Sequence, residues 1–327
     1  MPTSLVNSRE PYIHAALEHF AIELPSWGFA QTGTRFGKYL DPTAASTLAE
    51  KLADAGKVHE LTGCCPSVAV HVLWDFAEDL SDADKAVDLA AQYGVRLGSI
   101  NPNLFQDQRY RFGSIANEDP GIRRVATQHL LDSIDLAKRV GSRDVSIWLA
   151  DGSNYPGSAS IRRRRGYVVD ALSEAHEALG PDQRLLIEYK PFEPAFYHTD
   201  LGDWGMALVT AQEAGPRAHV LVDTGHHYQA QNIEQIVAWL LDLGRLGGFH
   251  FNDRRYADDD LTFGSIDPYQ AFRIFLEIHL YAEESGKQPD VAFMVDQSHN
   301  LKTKLEAMVQ TVTTAQMLFA KAALVDP

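Results

Sequence analysis

A histidine and four aspartates share one short stretch of this chain, GFHFNDRRYADDDLTFG, residues 248–264. The acids are Asp253, Asp258, Asp259 and Asp260, and His250 precedes them. Carboxylates this dense repel one another unless water or a cation lies among them. Three other stretches offer the same donors: IEYK with Glu188 and Lys190, VDTGHH with Asp223 and His226, and VDQ with Asp296. Glu188 and Lys190 are two apart in an extended run, so they share a side. Carboxylate and imidazole donors without a thiolate suit Mn²⁺, Mg²⁺ or Co²⁺. Seven candidates, Glu188, Asp223, His226, His250, Asp258, Asp260 and Asp296, exceed what one ion takes from a protein. The expectation is two divalent ions per chain, Mn²⁺ first, with Co²⁺ or Mg²⁺ fitting the same donors. One would sit on Glu188, Asp223, His250 and Asp296, the other on His226, Asp258 and Asp260. Asp223 or Asp296 could bridge them.

Each residue alone has an ordinary structural explanation. A single histidine is more often a core residue than a ligand. His227 reads as a supporting or core histidine, Asp259 as pointing away from the ions, and Asp253 with Arg254 as a surface ion pair. The coincidence of donors at the ends of four successive strand-like runs overrides the ordinary reading for the seven. Lys190, held near cations and carboxylates, can donate to a substrate oxygen and stabilise negative charge developing there. A structural ion pair is its alternative. Trp27, Trp74, Trp148 and Phe36 supply flat walls suited to the C–H face of a sugar, with core packing as the competing use.

These residues need a scaffold that brings strand ends together. Apolar or β-branched runs at 20–27, 67–74, 95–102, 144–151, 184–190, 219–225, 247–253 and 291–297 predict strands. Helical periodicity predicts helices at 43–55, 81–93, 121–140, 161–179, 203–214, 233–243, 267–284 and 302–324. Gly94, Gly141, Gly180, Gly215 and Gly244 stand where helices should stop. Eight strand–helix units predict an α/β fold of the (β/α)8 TIM barrel type. An open doubly wound sheet would carry a glycine-rich first turn, and none follows FAIELPSW. Polar residues gather at the carboxyl ends, where a barrel keeps its active site: Trp27, His71, Trp74, Asn101, Asn103, Trp148, Asp151 and the ligand candidates. No linker divides the chain, so residues 1–327 read as one barrel domain with a short N-terminal helical segment. The run Arg162 to Arg165 reads as a solvated or interface helix face, with a phosphate site as the lesser use.

A formal net charge of -15 argues against nucleic-acid and anionic-membrane partners, which need a basic footprint. No apolar run approaches the about 18 residues of a membrane helix. The first 20 residues lack a secretory leader's pattern, and the two cysteines, Cys64 and Cys65, are adjacent and poorly placed for a disulfide. Both features suit the cytoplasm.

The segments LPSWGFAQTGTRFGKY, HVLWD, IWLADGSNYPG, IEYKPFEPAFYHT, VDTGHH, NIEQIVA, LGGFHFNDRRYADDDL and VDQSHN resemble, in order and spacing, the broad-specificity bacterial L-rhamnose isomerases. These lie within the wider xylose isomerase-like barrels, and the likeness runs from about residue 20 to 300. It implies a metal-dependent aldose–ketose isomerase, L-rhamnose to L-rhamnulose first, by a metal-assisted 1,2-hydride shift. An enediol route is the other possibility. It implies the two ligand sets above, His71 near the ring oxygen, and Lys190 and Asp296 beside O1 and O2. It also implies that the segment with Phe36 reaches a neighbouring subunit's site, hence a homo-oligomer, tetramer or dimer. Two departures stand out. Arg254 and Arg255 replace an expected smaller residue and a lysine, and the sequence ends at Pro327 where many relatives extend further. Competing functions are a one-metal keto-sugar 3-epimerase, a metal-dependent phosphodiester hydrolase of the apurinic-endonuclease type, and a silent sugar-binding protein. The His226, Asp258, Asp260 set argues against the first, the acidic charge against the second, and an intact ligand set with Lys190 against the third.

Overall fold

The computed structural model describes residues 3–34, 37–38, 40–193, 197–298 and 301–326. All eight expected runs form strands: β1 Ile22–Pro25, β2 Ser67–His71, β3 Arg96–Asn101, β4 Asp144–Trp148, β5 Arg184–Glu188, β6 Ala218–Asp223, β7 Leu246–Phe251 and β8 Ala292–Val295. Neighbours pair in parallel in chain order, and β1 pairs with β8, closing the barrel. The helices are α1 Leu48–Thr62, α2 Ala83–Gln92, α3 Pro120–Val140, α4 Ile161–Ala178, α5 Trp204–Ala214, α6 Ile233–Asp242, α7 Pro268–Ser285 and α8 Lys304–Ala323. A further helix, Thr3–Glu18, precedes β1 and packs against α8. No helix among the described residues is long and apolar enough to cross a membrane.

Strand period two separates the layers. In β7, Phe249 and Phe251 face the helices, where they meet Phe275 and Phe293 on α7 and β8. His250 between them faces the barrel axis. Two residues before the ligand candidates Glu188, Asp223 and Asp296 come Leu186, Leu221 and Met294, which form a small apolar cluster of their own inside the barrel. That cluster is the dry floor on which the polar ends stand. Gly248 occupies the corresponding place in β7, and a Cβ there would lie 3.1 Å from Leu221 Cδ1.

Seven barrel helices begin at a Thr, Asp, Ser or Asn whose side chain accepts a first-turn N–H: Thr47, Asp119, Ser160, Asp203, Asn232, Asp267 and Thr303. These caps fix where each loop on the site face ends. They also correct the first helix. It starts not at residue 43 but after Thr47, in a capping box with Glu50, and it runs through Gly56 to Gly63. Gly56 is tolerated mid-helix because a Cβ there would lie 2.4 Å from the Tyr93 carbonyl oxygen. Gly94, Gly141, Gly215 and Gly244 have positive φ after their helices, but Gly180 does not. There Leu179 leaves the helix extended, and Gly180 N–H donates to Gln183 Oε1 at 2.9 Å.

The arginine run is not uniformly solvated. Arg163 and Arg165 reach Glu118 and Glu213 on the surface. Arg164 is buried at 2 % exposure and is held by Asp200 at 2.7–3.1 Å, tying α4 to the segment before α5. Cys64 and Cys65 are both free thiols, 3.8 Å apart.

Candidate active site

The strands end sooner than their apolar runs suggest, and the chemistry sits in the turns just beyond them. Trp27 lies in the single turn Ser26–Phe29 after β1, and Trp74 in the helical turn Val72–Asp75 after β2. Lys190 follows β5 by two residues. Its N–H donates to the Leu201 carbonyl at 3.0 Å, and it lines the same cavity as Glu188.

On the β5–β8 side, ligand atoms of Glu188, Asp223, His250 and Asp296 lie within 4.8 Å of one another, as do those of Asp223, His226 and Asp258. Asp223 belongs to both groups. Glu188, Asp223 and His250 are buried, and Asp296 is half-buried. His250 Nδ1 is 3.3 Å from Glu188 Oε2 and 3.8 Å from Asp296 Oδ2. His226 turns Nδ1 to the Tyr189 carbonyl oxygen at 3.0 Å, so Nε2 faces Asp258 Oδ1 at 3.3 Å and Asp223 Oδ2 at 3.9 Å. A ring nitrogen anchored on a carbonyl is how metal-ligating histidines are commonly oriented. Gly225 in VDTGHH is dictated by closeness: a Cβ would lie 2.3 Å from Asn252 Oδ1. Its N–H donates to Asp223 Oδ1 at 2.6 Å, and Asn252 Nδ2 donates to both Asp223 oxygens at 3.0 and 3.1 Å.

The ionisable groups here are shifted by burial and by one another. Burial pushes the Asp223 carboxyl up to about 7, aided by Glu188, Asp296 and Asp258 and opposed by His226. Burial also raises Asp260 and Asp296 above the usual carboxylate range. For the histidines burial works downward but the carboxylates outweigh it, raising His226 to about 10 and His250 to about 9. His226 lies 3.3 Å from both Glu188 Oε1 and Asp258 Oδ1, and His250 Nδ1 3.3 Å from Glu188 Oε2, while His250 Nε2 is buried without a hydrogen bond. Buried ionisable atoms left so are costly. Oxygen and imidazole donors converging in this way fit a divalent cation.

Asp260 lines the same cavity but does not join either close group. Its backbone is left-handed, φ 49°, uncommon for a residue with a Cβ. Lys190 is held by Asp258 at 2.7 Å and Glu193 at 3.3 Å, the ion pair weighed above. Burial would strip its proton, but those acids hold it on. Asp259 caps a turn, accepting from the N–H groups of Arg255 and Tyr256 at 2.5 and 2.7 Å. His227 is a core residue against the Tyr189 hydroxyl at 2.6 Å. Asp253 and Arg254 are no surface pair. Both are buried, and Asp253 accepts the N–H groups of Ile266 and Asp267 at 2.7 and 3.0 Å.

The β1–β4 side is aromatic. His71 lies between Trp27 and Trp74, with ring centroids 4.7 and 4.0 Å away. Phe105 joins it, 5.8 Å from His71 and Trp74 and 5.0 Å from Trp148. Sequence reading missed Phe105, which lies in the loop after β3 with no periodic signal. Burial lowers the His71 pKa to about 3, so its imidazole is neutral. Trp27 Nε1 crosses to the other side, donating to Asp296 Oδ1 at 2.7 Å. His71 Nδ1, Ser146 Oγ and Trp148 Nε1 are buried without hydrogen bonds. All three residues line the cavity, of about 230 Å³, that also meets Glu188, Lys190, His226, His250, Asp258, Asp260 and Asp296. Asn103 and Asp151 are instead structural: Asn103 Oδ1 accepts Leu73 N–H at 2.8 Å, and Asp151 holds Ser114 and Ala116. Phe36 lies outside the described residues. A larger cavity, about 500 Å³, lies between α4 and α5. It is mostly apolar and lacks a convergent donor set, so chemistry rather than size selects the barrel mouth.

Residues 67–281 match the family described as xylose isomerase-like TIM barrel. The chain belongs to that family. It is 40% identical over 320 residues to a probable sugar isomerase of Mesorhizobium japonicum, covering 96% of this chain and 73% of that protein. A probable sugar isomerase of Rhizobium meliloti is 37% identical over 319 residues, covering 96% and 74%. A xylose isomerase of Thermus thermophilus is 29% identical over 231 residues, covering 68% and 57%. Among solved structures, an L-ribulose 3-epimerase superposes with TM-score 0.68 at 14% identity, covering 92% of this chain and 95% of that one. A D-allulose 3-epimerase from Methylomonas sp. gives 0.66 at 15%, covering 91% and 98%. At such identities the structural likeness speaks for the fold. The relatives agree on a sugar-processing barrel.

Proposed function

We propose that this chain is a metal-dependent aldose–ketose isomerase that converts L-rhamnose to L-rhamnulose and tolerates other aldoses. The observation that carries the reading is the pair of ligand groups sharing Asp223 and opening on one cavity with Lys190, His71 and the tryptophans. Glu188, Asp223, His250 and Asp296 would hold one ion. His226, Asp258 and Asp223 would hold the second, with Asp260, which lines the same cavity, as a further donor. Bound there, divalent ions such as Mn²⁺, Co²⁺ or Mg²⁺ would supply Lewis acidity toward the sugar's carbonyl and adjacent hydroxyl.

The chain's own residues do the rest. Neutral His71 can share a hydrogen bond with the ring oxygen and its proton as the ring opens. Trp27, Trp74, Phe105 and Trp148 cover the sugar's C–H face and exclude water. The Lys190 ammonium donates to the oxygen on which negative charge grows. Asp296, anchored through Oδ1 by Trp27, would stand beside O1 and O2 to assist the proton transfer between them. One hydrogen moves from C2 to C1 as hydride, so no carbon-bound hydrogen is lost to water.

A second reading rests on one observation. Glu188, Asp223, His250 and Asp296 already form a four-donor group, and Lys190 neutralises Asp258. A keto-sugar 3-epimerase would need only one ion there. Chelator-stripped protein given L-rhamnose, L-mannose, L-lyxose and D-allose, with and without Mn²⁺, separates the two. The isomerase makes ketose from an aldose only with metal. A protein that leaves every aldose untouched but epimerises ketoses at C3 is the epimerase. The isomerase reading carries with it a cytoplasmic homo-oligomer, tetramer or dimer, with no nucleic-acid or membrane partner, in keeping with a net charge of -15.

A further inference from the structure

The loop carrying His226 is short and has no regular structure of its own. Residues 224–232 link β6 to α6, and their carbonyls must find donors somewhere. One side chain supplies three. Arg254, 8 % exposed, donates from Nε to the His227 carbonyl at 2.6 Å, from Nη1 to the Thr224 carbonyl at 2.9 Å, and from Nη2 to the Tyr228 carbonyl at 3.1 Å. Nη1 also reaches Gln270 Oε1 on α7 at 3.3 Å. The planar guanidinium thus brackets His226 on both sides along the backbone. It does so from the far end of β7, because Arg254 follows Asn252, which itself holds Asp223. Thr224 completes the link, with Oγ1 donating to the Asn252 carbonyl at 2.7 Å. No carboxylate pairs with Arg254 among the described residues, so its donors go to the backbone and to Gln270.

We propose that Arg254 is a positioning residue for the second ion: it clamps the Thr224–Tyr228 backbone so that His226 presents Nε2 toward Asp258 and Asp223. The inference rests on the two-ion reading for its purpose but not for its geometry. A fork of fixed N–H groups is what three carbonyls at set angles require; a lysine ammonium offers a point charge and fewer simultaneous bonds. Removing the fork leaves the buried Thr224 and His227 carbonyls without this donor and frees the loop to move.

The test compares the wild type with R254M and R254K in the full chain. The first readout is the NMR signal of the His226 imidazole in metal-free protein labelled with ¹⁵N-histidine, assigned by H226Q. The clamp predicts that R254M shifts or broadens the His226 signal while His250 stays put, with R254K between. An unmoved His226 signal in folded R254M overturns it. The second is equilibrium Mn²⁺ binding by titration calorimetry. The clamp predicts that R254M weakens the second ion roughly 10–100-fold, the scale for groups that orient ligands, and leaves the first within about threefold. Equal weakening of both ions, or of neither, also overturns it. If the wild type binds a single ion, the two-ion reading fails, and the imidazole signal still decides on Arg254. R254K guards against a misfolded R254M, since it keeps the charge and most of the volume.

Discussion

The two halves of the barrel mouth solve opposite problems. Strands β5–β8 end in buried ionisable groups that shift one another: an Asp223 raised to about 7, a His250 against Glu188, an Asp258 leaning on Lys190. Strands β1–β4 end in rings that already touch one another, from Trp27 through His71, Trp74 and Phe105 to Trp148. The first half offers donors that could hold cations, and the second is a set of rings already in contact. The contrast teaches that the halves should fail differently: the charged half through metal and turnover, the aromatic half through substrate affinity.

The largest effect should come from Asp258→Asn, which removes a ligand of the second group and the main partner of Lys190. Turnover of L-rhamnose by Mn²⁺-loaded protein should fall about 10²–10³-fold, the scale of losing one preorganised electrostatic group. A fall in affinity alone would erase the contrast between the halves. Lys190→Met should come next, with kcat down about 10²-fold and KM nearly unchanged. An unchanged kcat would make Lys190 a structural partner of Asp258 and Glu193 only.

Protons compete with metal in the charged half. In the metal-free chain His226 at about 10 and His250 at about 9 sit above the ordinary histidine value of about 6.5, so both carry a proton at neutral pH. Each must lose it to bind an ion. Mn²⁺ affinity should therefore rise with pH up to about 9–10, by roughly tenfold per pH unit for each ion, and more steeply below about 7, where Asp223 also gains a proton. A flat profile between pH 6 and 9, measured by titration calorimetry, would remove the histidines from the ligand sets.

Effects in the aromatic half should be smaller and confined to KM. Trp74→Ala should raise KM by about tenfold with kcat within a factor of about three, the scale of one lost aromatic contact. Ser146→Ala, which deletes one unpaired hydroxyl at the cavity wall, should change KM by about fivefold and alter the ranking among L-rhamnose, L-mannose and D-allose. Metal affinity should stay the same in both. A loss of Mn²⁺ in either would show that the halves are not separable.

Much of this was legible in the sequence because it is periodic or local. All eight strands announced themselves by apolar runs, and Glu188, Asp223, His250 and Asp296 each ended one. What escaped was set by contacts between distant segments. The start of α1 depended on the Thr47–Glu50 box, and its passage through Gly56 on the nearness of Tyr93. Arg254 and Arg164 looked like surface charges, since nothing in a single sequence reveals that three carbonyls or one buried aspartate await them. Asp260 fits the ligand spacing and lines the cavity, yet it stands outside both close groups. Phe105 and Ser146 carried no pattern at all.

One measurement reaches the central claim, that both halves act on an aldose at C1 and C2. L-Rhamnose deuterated at C2 would be given to Mn²⁺-loaded protein, and the ketose analysed by NMR. The account predicts L-rhamnulose with deuterium retained at C1. Deuterium washed out to water would contradict the hydride shift, and exchange confined to C3 of a ketose, with no aldose consumed, would contradict the isomerase itself.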